Sequence, residues 1–132
     1  MNFEVLAAQW APRLQSILRI VTGLFLVQHG LGKIFKFPVV PQFANLDLSS
    51  MPGIAGFFEL IGGILLILGL FSRPVAFIMS GICAVGYFLV HAPRNFYPIL
   101  NGGELIALYC FVLIFLAAAG PGPWSVDALR RK

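Results

Sequence analysis

Four long apolar stretches, at roughly residues 14–34, 54–71, 74–92 and 101–119, dominate this chain. Each is long enough to cross a hydrocarbon core of ~30 Å at ~1.5 Å per helical residue. They are not purely apolar: His29, Lys33, Glu59, His91 and Glu104 lie inside them or at their ends. An ionisable group there costs on the order of 3 kcal/mol or more unless it finds a partner. The chain must therefore fold so that it spans a bilayer and still brings these groups together in its interior.

Composition points the same way. A hydrophobic fraction of 59% against a charged fraction of 11% leaves too little polar surface to cover a soluble core. The 132 residues allow four crossings and little else, so the whole of 1–132 reads as one domain. The expected fold is all-α, an integral membrane antiparallel four-helix bundle. Residues 1–12 carry Glu4 and no Lys or Arg, unlike the basic start of a signal peptide, so the first span is expected to be retained. The net charge of +4 comes without a basic block, which argues against a nucleic-acid partner and makes the charges topology signals.

Arg13, Arg73, Arg130, Arg131 and Lys132 fall on one side of such a bundle, and Lys36 and Arg94, with Lys33 near the edge, on the other. The positive-inside rule then places both termini in the cytoplasm. Trp10 and Trp124 sit at that interface, and Phe96 and Tyr97 at the outer one. The short Phe71-Ser72-Arg73-Pro74 connection makes spans two and three a hairpin, with Pro74 suited to a first helical position. Segment 36–53 is too apolar for a solvated loop and is expected to lie in the interface or fold back over the bundle. Gly23, Gly30, Gly62, Gly63, Gly81 and Gly86 offer small surfaces for close helix approach.

With that topology His29, Lys33, Glu59, His91, Arg94, Asn101 and Glu104 share the outer half. At ~100° per residue, Lys33 lies ~40° around the helix from His29, on the side that carries Gly23 and Gly30. Glu59 and Glu104 are expected to face His29 and His91 across the interior. On the cytoplasmic side, a Gly/Pro turn at 120–123 lets the tail fold back and bring Asp127 to Arg19 or Arg73 as a structural clamp.

These residues carry a family resemblance. Arg19 and Gly23, then His29-Gly30-Leu31-Gly32-Lys33, Glu59 with Gly62-Gly63, the turn Leu68-Gly69-Leu70-Phe71-Ser72-Arg73-Pro74, Asn101-Gly102-Gly103-Glu104, and Gly120-Pro121-Gly122 followed by Trp124-Ser125-Val126-Asp127 together resemble the DoxX family of small bacterial membrane proteins. The resemblance implies four transmembrane helices, a multi-pass place in the bacterial inner (plasma) membrane, and a loose link to redox physiology involving thiosulfate:quinone oxidoreductase, quinone and catechol resistance, and oxidative-stress complexes.

Two readings of the outer cluster stand side by side. In one, His29, Lys33, Glu59, His91, Asn101 and Glu104 form a polar pocket for a quinone-like or other small molecule, with imidazoles donating hydrogen bonds and carboxylates exchanging protons. In the other, they are internal ion pairs that fix helix register in a structural or assembly subunit. A small transporter is a third reading, with little room for alternating access in four helices. No metal-ligand spacing occurs, and no flavin, nicotinamide, haem or iron–sulfur fingerprint, so an electron carrier would be a diffusible quinone or belong to a soluble or membrane redox partner. Besides the lipid bilayer, a homo-oligomer stays open as a partner. Cys83 and Cys110 should lie at similar depth, but without a CxxC spacing they read as small buried residues.

Overall fold

The computed structural model describes residues 2–131, and all regular secondary structure in that range is helical. Helix α1 spans Phe3–Ile34, α2 Met51–Leu68, α3 Ser72–Gly86, α4 Pro98–Asn101, α5 Glu104–Ala119 and α6 Val126–Arg130. A 3-10 turn occupies Pro41–Phe43, and a π turn, Tyr87–His91, extends α3. Three helical stretches are long and apolar enough to cross a membrane: Phe3–Ile34, Met51–Leu68 and Ser72–His91. Helix α5 is apolar but shorter. Gly102 takes a left-handed conformation (φ 72°) after α4, and α5 starts only at Glu104. The 16 residues of α5 therefore reach about 24 Å.

The first span begins earlier than the apolar stretch suggests. The Asn2 side chain accepts from Val5 N (2.9 Å), so the helix is capped at Phe3 and runs for 32 residues, about 48 Å. Residues 3–14 are exposed, with Pro12 O lying 2.9 Å from the Cβ position of Gly122 in the returning tail. Helix α2 starts on a Ser50 cap and ends at Gly69 (φ 70°), after which only Leu70 and Phe71 separate it from α3. Helix α3 begins at Ser72, two residues ahead of Pro74.

Two helix pairs make most of the contacts, α1 on α2 and α3 on α5, with α2 and α3 joining them. Glycines set the first pair. A Cβ on Gly23 would lie 2.7 Å from Gly63 O, and one on Gly30 2.7 Å from Leu60 N, so the backbones approach too closely for any side chain. Gly62 receives Met79, and Gly86 faces Ile106. Gly81 differs from expectation: nothing lies within 4 Å of its Cβ position, so it looks outward. The buried apolar core consists of Leu26, Leu66, Ala76, Met79, Cys83, Tyr109, Leu113 and Leu116. Cys83 and Cys110 are free thiols, and Ser80 Oγ donates to Cys110 O (2.8 Å). Of the basic tail, Lys132 lies outside the described residues.

Candidate functional site

The tail end of the molecule holds a fully buried guanidinium. Gly120 and Gly122 adopt positive φ (92° and 78°), turning the chain back under α1, where Gln15 Nε2 donates to Gly120 O (2.7 Å) and Trp124 N donates to Ser16 Oγ (3.1 Å). Arg19, 0% exposed, donates from Nε to Leu66 O (2.8 Å), from Nη1 to Pro121 O and from Nη2 to Trp124 O (2.6 Å). Its partners are carbonyls, two of them freed by the non-helical tail and one from the last turn of α2, where helix carbonyls carry partial negative charge.

The expected Arg19–Asp127 clamp is therefore corrected. Asp127 pairs with neither Arg19 nor Arg73: its two carboxylate oxygens accept from Phe71 N and Ser72 N (2.9 Å each) and cap the start of α3. Phe71 holds a left-handed backbone (φ 53°) with no cap of its own, so these N–H groups take a carboxylate from a distant segment instead. Arg73 donates to Ala117 O (3.2 Å) and Ala118 O. Partial burial pushes the Asp127 carboxyl up, but the N–H groups of Ser72 and Phe71 and the nearby Arg130 outweigh it and hold it below the usual carboxylate range.

At the opposite end, the structure divides the expected cluster. Lys33, 8% exposed, donates from Nζ to Glu59 Oε1 at 2.8 Å, joining the last turn of α1 to the middle of α2. Glu59 Oε2 is buried and has no hydrogen-bond partner. The half-buried His29 ring stands 6.4 Å from Tyr109 in an edge-on arrangement and 6.5 Å from Phe43. Segment 36–53 folds back to build this wall. Lys36 Nζ donates to Lys33 O (3.0 Å) and Phe43 O (2.6 Å), which brings the Phe43 ring to 5.5 Å from Lys33 Nζ. Lys33, His29, Glu59, Phe43 and Tyr109 thus meet from α1, α2, α5 and the loop.

His91 and Asn101 form a separate network. His91 Nδ1 donates to Asn101 O (2.9 Å), and its ring stacks on Tyr87 (6.4 Å). Asn101, 2% exposed, donates from Nδ2 to Tyr87 Oη (3.2 Å) and Asn95 O (3.0 Å) and accepts from Gly103 N (2.8 Å). The π turn places Tyr87 and His91 on one side of α3, where they fasten α4 and the Gly102-Gly103 break. Glu104 is exposed at the first residue of α5. The expectation that Glu59 and Glu104 both face His29 and His91 across the interior is corrected: Glu104 suits the helix N-terminus electrostatically and faces out. Sequence reasoning missed Phe43, Tyr87 and Tyr109. A Tyr inside an apolar span was the available signal, since its hydroxyl seeks polar company.

Among the described residues, no group of three or more His, Cys, Asp or Glu could hold a metal ion. Comparison with known proteins then fixes the lineage: the DoxX family model matches residues 14–92, and a Haemophilus influenzae protein described as uncharacterized is 37% identical over 123 residues, covering 90% of this chain and 92% of its own. The chain belongs to the DoxX family. A DoxX match and three membrane-length apolar helices make it a membrane-type protein. A second uncharacterized H. influenzae protein is 32% identical over 74% of this chain and 61% of its own. A Bacillus subtilis protein printed as "Putative oxidoreductase CatD" is 28% identical over 84% of this chain and 82% of its own. No solved structure gives a significant match. The family match includes Arg19, His29, Lys33, Glu59 and His91 but ends before Asn101, Glu104 and Asp127.

Proposed function

We propose that this DoxX protein is a four-span bacterial inner-membrane protein, its helices antiparallel and both termini cytoplasmic, that binds a quinone-like small molecule at Lys33 and Glu59 and works with a redox partner. The observation that carries the reading is Glu59 Oε2, a buried acceptor without a donor beside an ammonium group. A buried polar atom left unmatched costs about 1–3 kcal/mol, more for a charged group, and a ligand hydroxyl would recover it. A quinone offers carbonyls that need donors, and its reduced form offers hydroxyls that need acceptors. Lys33 Nζ and Glu59 supply one of each, while the rings of His29, Phe43 and Tyr109 supply apolar walls.

Oxidising a hydroquinone releases two protons and two electrons. In this reading Glu59 and His29 take one proton each from the ligand, and the two electrons pass to a flavin, haem or iron–sulfur acceptor carried by the partner, since this sequence has no fingerprint for one. The kinship with a protein printed as an oxidoreductase supports a redox setting.

The alternative, a non-catalytic assembly subunit, draws on the same 2.8 Å ion pair, which ties α1 to α2. Titration of purified protein with a short-chain benzoquinone and its hydroquinone separates the two. Saturable binding that weakens at least tenfold in Glu59→Gln, with unchanged helicity, supports the site. A folded wild type that binds neither form leaves the assembly role.

A further inference from the structure

The tail end carries more positive charge than its internal contacts consume. A groove of about 350 Å³ is lined by Phe71, Ser72, Arg73, Pro74, Asp127, Arg130 and Arg131. Lys33–Glu59 is the one ion pair among the described residues, so Arg73, Arg130 and Arg131 form no salt bridge with a carboxylate of those residues, although Arg130 is near enough to Asp127 to attract it. Asp127, the groove's acid, is engaged by two backbone N–H groups. Arg130 lies over the Phe71 ring at 5.2 Å, which leaves the edges of its guanidinium open to an oxyanion.

We infer that this groove binds the phosphate of an anionic phospholipid. Guanidinium groups match phosphate oxygens in pairs, and an arginine cluster at the end of a helix bundle stands at headgroup depth. The surface next to the groove favours a lipid over a free phosphate. Phe77 lies one turn along α3 from Arg73 and is 63% exposed, and the Cβ position of Gly81, one turn further, is open. A headgroup held at Arg73 would thus run directly into an apolar strip suited to an acyl chain. The site is independent of the Lys33–Glu59 end, so it stands whether or not that end binds a quinone.

Native mass spectrometry of the full chain, delipidated and then incubated with phosphatidylglycerol or phosphatidylcholine of identical acyl chains, tests the inference. Phosphatidylglycerol should bind more tightly, and Arg130→Gln with Arg131→Gln, both at exposed positions, should weaken it roughly thirtyfold, at about a factor of five per arginine. Arg130→Lys with Arg131→Lys should retain only part of the preference, because lysine keeps the charge but not the paired donors, and full retention would overturn the guanidinium argument. Equal retention of the two lipids overturns the inference, as does unchanged phosphatidylglycerol binding in the double Gln variant. Displacement by millimolar inorganic phosphate would assign the groove to a free anion and overturn the lipid reading.

Discussion

Where the tail folds back, a fully buried guanidinium meets three carbonyls and a carboxylate caps two helix N–H groups. At the other end a buried carboxylate has one oxygen on Lys33 and the other on nothing. Both ends place charge at the α1–α2 seam: at the tail end the charged groups are all partnered, and the one open buried atom among the described residues there is the neutral Ser72 Oγ, whereas at the other end the open atom belongs to the Glu59 carboxylate. A satisfied buried charge rigidifies and holds register, whereas an unsatisfied acceptor is held against its own desolvation cost. On the reading proposed above, the Arg19 contacts are scaffold and the open acceptor of Glu59 is where a small molecule binds.

The sharpest way to break this contrast is to remove each cation. Arg19→Met leaves three carbonyls without their donor, and the expected loss is about 3–5 kcal/mol, seen as poor expression or a strongly lowered Tm in detergent. Lys33→Met leaves Glu59 without its cation and should cost about 3 kcal/mol. The second loss should be largely restored by adding Glu59→Gln, because the uncompensated charge goes with it. If Lys33→Met is neutral, the ion pair contributes nothing and the contrast loses one side.

A smaller effect is expected at Asp127. Asp127→Ala removes the cap of α3 and should cost about 1–2 kcal/mol. The wild type should also lose stability in acid. Because the folded carboxyl sits below its ordinary value, its contribution is full above about pH 4 and disappears as pH falls through the lowered value. Asp127→Asn should flatten that part of the Tm–pH curve, and identical curves would show that the cap's charge is idle. Smallest of all is Glu104→Gln, at an exposed position, which should shift stability by no more than about 0.5 kcal/mol. A large loss there would return Glu104 to the interior.

Much of this was legible in the residues. The apolar stretches, the glycine seam of Gly23, Gly30 and Gly63, and the return of the tail at 120–123 follow from helical periodicity and Gly/Pro chemistry. The His29–Lys33 face and the involvement of Glu59 follow from the spacing. What could not be read is which partner each charge takes. Arg19 chose carbonyls over Asp127 because the tail's turn exposes carbonyls at its depth, and Asp127 went to backbone N–H groups that a left-handed Phe71 leaves bare. The left-handed Phe71 has no residue signature, and the Gly/Pro turn shows where the tail reverses but not which carbonyls it bares. Glu104 turned outward because Gly102 and Gly103 interrupt the fourth stretch and restart the helix at that residue. The inward fold of 36–53, which delivers Phe43 to His29, was suggested only by the segment's apolar character.

The most direct test of the contrast is native mass spectrometry of protein purified straight from membranes in mild detergent, comparing wild type, Glu59→Gln and Asp127→Asn. The account predicts a small-molecule adduct on the wild type and on Asp127→Asn that is missing from a folded Glu59→Gln. An adduct that persists in Glu59→Gln, or a folded wild type that carries none, would contradict it.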